Sequence, residues 1–142
     1  MIITTNVNLD EGCFLKENYM FNKEKDIAKA FIEGVVTDKI REIYDLYTLP
    51  NFIHHNGFFY GDRESLLEGM EKSNEVFPNK KVTVKLAVAE PPFVTLLSHV
   101  QLSLDKEVAV VHIYRFEGEK IAELWDISQE IPPNLLNENG VF

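Results

Sequence analysis

The stretch that decides the fold runs from His112 to Pro132, HIYRFEGEKIAELWDISQEIP. It reads as two strands joined by a tight turn. Gly118–Glu119 carries glycine first, the arrangement of a two-residue type II′ hairpin. Beyond the turn, Ile121, Glu123, Trp125 and Ile127 share one face of the second strand, and Ala122, Leu124, Asp126 and Ser128 share the other. Asp126 thus falls on a largely apolar face beside Leu124. A carboxyl group there is either exposed at a sheet rim or held in a pocket. Burial favours the protonated form, which would make a pocketed Asp126 a usable acid/base near neutral pH.

The period of two reaches back to Lys81. Val82, Val84, Leu86 and Val88 are predicted on one face of a strand that Pro91–Pro92 ends. Val94, Leu96, Val100, Leu102 and Leu104 are predicted on one face of the next, with Thr95, Leu97, His99, Gln101 and Ser103 on the other. Asp105–Lys106 reads as its turn. Val108 to Phe116 and Lys120 to Gln129 complete a four-stranded antiparallel meander. Before it the spacing is helical. Ile27, Ala28, Phe31, Val35 and Val36 recur at three- and four-residue steps, with Asn22 as the expected N-cap. Ile40, Ile43, Tyr44 and Tyr47 form a second set, stopped by Leu49–Pro50. Asn51–Gly57 reads as a short irregular or extended piece. Gly61–Asp62 starts a third helix with Leu66, Leu67, Met70 and Phe77, ended by Pro78–Asn79. Residues 1–21 form either a short strand (Ile2, Ile3, Val7, Leu9) with a turn at Asp10–Glu11–Gly12, or an arm on a partner subunit. Pro132 to Phe142 reads as a polar, mobile tail.

Helices followed by a meander argue α+β, with helices packed on one face of a curved, mainly antiparallel sheet around a cone-shaped cavity. The 142 residues amount to one domain, 1–142, with 1–21 as an arm and 133–142 as a tail. Hydrophobic content of 45% and charged content of 26% are those of a globular domain. A formal net charge of −9 disfavours nucleic acid and anionic membranes as partners. The one cysteine, Cys13, allows no internal disulfide framework, and a reduced thiol fits a cytoplasmic protein. No apolar run has the length of a membrane span, and the N-terminus lacks the layout of a signal peptide. HxH, HExxH and CxxC spacings are missing, as is a glycine-rich phosphate loop, so neither a metal nor a nucleotide cofactor is expected.

Three stretches resemble SnoaL-like polyketide cyclases, of the nuclear transport factor 2-like superfamily. They are Leu49-Pro-Asn-Phe-Ile-His-His-Asn56, Gly61 ahead of the third helix, and Ile113 to Gln129 with its Arg, Gly, Glu, Trp-Asp and Gln. The resemblance spans roughly residues 22 to 132. It implies a cystatin-like α+β cone, a homodimer formed through the sheet, and a cofactor-free aldol condensation on a small hydrophobic carbonyl compound. It makes Asp126 the acid/base, aided by pocket histidines. Leu124 stands where many relatives carry His, and His112 where many carry Asp.

The resemblance favours His55 over His54 for the cavity, since neighbours in an extended piece point opposite ways. Asn56 would then orient the ring or the substrate. His99 and His112 are the further candidates. If Gly118–Glu119 is the whole turn, Val111 pairs with Asp126 and His112 with Trp125. If Asp105–Lys106 is a simple turn, His99 pairs with His112. Ideal pairing therefore places both histidines opposite Asp126's face, and a single bulge would reverse one parity. Arg115 shares Asp126's face under that pairing. It would bind an anionic substrate or, the more ordinary role, pair with Glu117 or Glu123 at the surface. Trp125 is either a stacking platform for substrate or, the better fit to its greasy face, a core or dimer residue. The alternative function is a non-catalytic small-molecule-binding protein with the same cone.

Overall fold

In the computed structural model, which describes residues 11–142 (without the side chains of residues 11–14 and 17), three helices lie over one face of a single bent sheet. The order is α1 (Glu11–Gly34), α2 (Ile40–Tyr47), β1 (Thr48–His54), α3 (Arg63–Val76), β2 (Lys81–Glu90), β3 (Phe93–Ser103), β4 (Lys106–Glu117) and β5 (Lys120–Glu130). The strands lie side by side as β1-β5-β4-β3-β2. All neighbours are antiparallel except β1, which runs parallel to β5 at one edge.

The helices form where the three-and-four spacing put them. Ala28, Phe31, Ile32 and Val35 make the buried stripe of α1, and Ile40 with Tyr44 that of α2. Asp62 caps α3: its side chain accepts from the Ser65 backbone N–H at 2.9 Å. The stripes meet the inner face of the sheet at Val94, Leu96, Tyr114 and Ile121, all at 0% exposure. Phe31 sits at the junction, with ring centroids 5.2 Å from Tyr44 and 5.9 Å from Tyr114.

Several expectations are corrected. The first helix begins at Glu11, so Asn22 is an interior residue rather than an N-cap, and Glu11–Gly12 is helical rather than a turn. The physical reason is plain in the sequence: no proline and no glycine interrupts residues 13–33. The strand proposed from Ile2, Ile3, Val7 and Leu9 lies outside the described residues. The extended piece after Pro50 belongs to a fifth strand, β1. The tail folds back on the sheet: the Phe142 ring lies 5.1 Å from the His99 ring and 5.3 Å from Lys85 Nζ.

Three bulges set the sheet's parity. In β2 the register shifts between Val84 and Leu86. Val82 and Val84 therefore face the helices, while Leu86 and Val88 face outward at 55% and 54% exposure. In β3 it shifts between Gln101 and Ser103, and the turn to β4 is Leu104–Asp105, not Asp105–Lys106. In the last hairpin, Gly118 has φ 60° and no described non-glycine residue has a positive φ, the requirement of the type II′ turn that glycine-first order announces. The shift between Arg115 and Phe116 then leaves Ala122 as the extra residue of β5, and both Ile121 and Ala122 are buried.

Candidate functional site

That last bulge builds the site. It pairs His112 with Asp126 and Ile113 with Trp125. His112 and Asp126 thus become direct cross-strand neighbours on the inner face, where ideal pairing would have separated them. The next rows of the same face carry Ser98 and Ser128 on one side and Tyr114 and Leu124 on the other.

Asp126 Oδ2 accepts a hydrogen bond from Asn56 Nδ2 at 2.9 Å. The Asn56 amide has a fixed orientation, because its Oδ1 accepts the Phe58 backbone N–H at 2.9 Å. His54 holds the chain beneath it. Its Nδ1 accepts the Asn56 backbone N–H at 3.1 Å, so the proton is on Nε2, which donates to the Tyr60 carbonyl. His54 is therefore a neutral structural residue at 4% exposure. Its placement was legible: Phe52 and His54 alternate, so His54 shares the core face of Phe52.

The other Asp126 oxygen, Oδ1, is buried without a hydrogen-bond partner, and so are His112 Nδ1, Tyr114 Oη and Ser98 Oγ. Glu24 Oε2 and Asn74 Oδ1 are the other two such atoms among the described residues, so four of the six lie along this one face. Burial pushes the His112 imidazole down to about 4, against the pull of the neighbouring Asp126 carboxylate. His112 is thus neutral at pH 7 and stacks on Tyr114 with a centroid distance of 5.8 Å. The Tyr114 phenol is held well above its usual range by burial, then by Tyr44 and Asp126, and Tyr44 is raised as well, chiefly by burial. Both phenols remain donors at any physiological pH.

Above Asp126 and His112 lies a cavity of about 360 Å³ between the sheet and α1 and α3. Ile32, Val35, Val82, Val100 and Val110 make much of its wall. Asn56, Ser73, Lys80, His112, Asp126 and Ser128 bring polar atoms to it, and Phe58 stands at its edge, 91% exposed. A wider depression of about 760 Å³ on the outside of α3 contains none of the four orphaned atoms.

The remaining sequence candidates sit on the other face. His55 is not in the cavity: its Nε2 lies 2.7 Å from Glu123 Oε1 and its ring stacks on Trp125 at 4.7 Å. The cause is the parity of β1, which turns His54 inward. Trp125 is consequently no platform for a ligand in this cavity. Arg115 pairs with Glu123 Oε2 at 2.7 Å and Glu117 Oε1 at 2.9 Å, the surface arrangement, and does not face Asp126. His99 pairs across to Ala109, on Trp125's side of the sheet, with Nε2 2.9 Å from Glu107. Of the predicted set, the structure brings together Asp126, His112 and Asn56. Sequence reasoning missed Tyr114, Ser98 and Lys80. The alternation His112-x-Tyr114 would have found Tyr114 once the bulge was known; nothing in the sequence distinguishes Lys80 from its neighbour Lys81.

Among the described residues no group of three or more His, Cys, Asp or Glu side chains could hold a metal ion, and no helix is long and apolar enough to cross a membrane.

No family model and no curated protein matches the chain. Solved structures do. AclR from Streptomyces galilaeus, a candidate hydroxylase, superposes with a TM-score of 0.67 at 19% identity, covering 77% of this chain and 90% of AclR. A candidate SnoaL-like polyketide cyclase from Jannaschia sp. CCS1 gives 0.66 at 17% identity, covering 78% and 88%. An uncharacterised cystatin-fold protein from Novosphingobium aromaticivorans gives 0.61 at 21% identity, covering 73% and 97%. At these identities the likeness concerns the fold. The chain has the cystatin-like, nuclear transport factor 2-like α+β fold that SnoaL-like proteins share.

Proposed function

We propose that the protein is a cofactor-independent acid/base enzyme of the polyketide cyclase type, acting on a small hydrophobic carbonyl compound. The observation that carries this is the Asp126–His112 pair, each with an orphaned buried atom, at the base of an apolar cavity. Asp126 takes a proton from the carbon next to a carbonyl. The C–H electron pair moves into a new C=C bond and the carbonyl oxygen becomes an enolate. Neutral His112 and the Asn56 amide donate hydrogen bonds to that oxygen, where charge develops. In an aldol closure the enolate carbon then bonds to a second carbonyl carbon, and Asp126 returns its proton to the resulting alkoxide. The outer face of the sheet, with Leu86, Val88, Phe93 and Ile127 exposed, is the surface through which a homodimer would form.

The test is solvent-deuterium incorporation at the α-carbon of a panel of small aromatic and alicyclic ketones, followed by NMR. Asp126→Asn should lower exchange by about 10²–10⁴-fold while the ketone's thermal shift persists. Exchange by the wild type that Asp126→Asn leaves intact sinks the acid/base role. Binding without any exchange favours a non-catalytic binding protein, a reading for which the buried Leu124 in place of the family's usual His speaks.

A further inference from the structure

Lys80 is unlike every other cation described. It is 9% exposed, and no other described Lys or Arg is buried. Lys23, Arg41, Arg63 and Arg115 each pair with a carboxylate. Lys80 has none within 4.0 Å among the described residues, in a chain of net charge −9 where carboxylates are plentiful. Its Nζ donates to Ser73 Oγ at 2.7 Å, and both residues line the cavity that holds Asp126. Buried lysines ordinarily have an anionic partner, because an ammonium taken out of water without one is costly. Burial alone draws Lys80 down to about 8, with no contribution from Asp126. The ammonium and the carboxylate are therefore separate poles of one cavity, and at pH 7 the lysine is still mostly charged.

We propose that Lys80, positioned by Ser73, holds an anionic oxygen of the ligand, so that the cavity takes a small apolar acid with its carboxylate at Lys80 and its reactive carbon at Asp126 and His112. The inference rests on the cavity being the ligand site, as the proposed function requires. The ligand then supplies the missing counter-ion, and its apolar body spans Val82, Val100 and Val110. Repulsion between the ligand's carboxylate and Asp126 enforces this orientation over the reverse one.

A matched probe pair, 2-naphthoate and the neutral 2-naphthamide, tests it by titration calorimetry. Wild type should prefer the acid by about tenfold or more, the scale of one charge-assisted hydrogen bond. The preference should fade as pH rises past about 8, where Lys80 loses its proton. Lys80→Met should abolish the preference and keep the amide's affinity, which also reports that the variant is folded. Asp126→Asn, which removes the like charge at the other pole of the cavity, should keep or enlarge the preference for the acid. Equal binding of both probes to wild type, or a preference that survives Lys80→Met, overturns the anchor and leaves the cavity reading standing. Failure of both probes to bind wild type removes the anchor and the cavity reading together.

Discussion

The two faces of the sheet carry the same chemistry in opposite states. Outside, His55, Glu123, Arg115 and Glu117 form a closed chain of charge-assisted hydrogen bonds, with His55 stacked on Trp125. Burial plays little part there: hydrogen bonds from His55 and then Arg115 hold the Glu123 carboxyl below its usual range. Inside, Asp126 lies three residues beyond Glu123 on β5 and His112 three residues before Arg115 on β4, yet Asp126 Oδ1 and His112 Nδ1 have no partner. A histidine–carboxylate pair by itself therefore says nothing about catalysis. What separates the faces is unused hydrogen-bonding capacity beside an apolar cavity.

The largest expected effect breaks this contrast outright. If the inner face does the chemistry, Asp126→Asn and Glu123→Gln, both charge-neutralising changes on β5, should differ by about 10²–10⁴-fold in α-proton exchange, with the outer variant close to wild type. Equal losses in the two variants would mean that the exchange reports sheet integrity rather than Asp126.

The next effect is on stability. His112 has a folded-state pKa lowered to about 4, below the 6.5 of a free imidazole. Between those values the unfolded chain binds a proton that the folded chain refuses. The stability is thus fully present above about pH 6.5 and is lost as pH falls toward 4, by at most about 3 kcal/mol. Urea unfolding across that window measures it. His112→Phe should flatten the curve, and a His112→Phe curve as steep as wild type would move the titrating group elsewhere.

How far all this could be read from the sequence follows from the same two faces. The period of two, the glycine-first turn and the three helical stripes sufficed for the meander and its helical layer. Asp126 was placed on an apolar face by Leu124 alone. Which histidine joins it was not legible, because a bulge at Ala122 costs one residue of register and leaves no compositional mark. A one-residue slip turns His112 inward, and Arg115 away from Asp126. His55 was chosen over His54 on resemblance, against the alternation of Phe52 and His54 that the structure follows. Lys80 lay beyond reach for a different reason: its burial depends on how the end of α3 meets β2, and no local pattern encodes that.

Lys80 gives a smaller stability effect of known sign. Its folded pKa of about 8 lies below the 10.5 of a free lysine. Between pH 8 and 10.5 the unfolded chain holds a proton that the folded chain has released, so wild-type stability rises with pH across that window. At pH 7 the buried ammonium is a net cost. Lys80→Met should therefore stabilise the ligand-free protein by about 1–2 kcal/mol, a figure reduced because solvent reaching the cavity screens the charge. The gain should shrink as pH approaches 10.5. Denaturant midpoints at pH 7 and pH 10 give both numbers, and a variant less stable than wild type at pH 7 would show that the Ser73 hydrogen bond outweighs the desolvation of the charge.

The smallest effect sharpens the outer half of the contrast. Arg115→Gln opens the chain of ion pairs at its centre, leaving Glu123 with His55 and Glu117 with no cation. Each lost contact is at or near the surface, where ion pairs contribute little and salt screens them. The midpoint of unfolding should fall slightly at low ionic strength and converge on wild type at about 1 M salt. A large loss that survives high salt would mean that Arg115 acts by packing against the sheet, and that the outer face is held together by more than its charges.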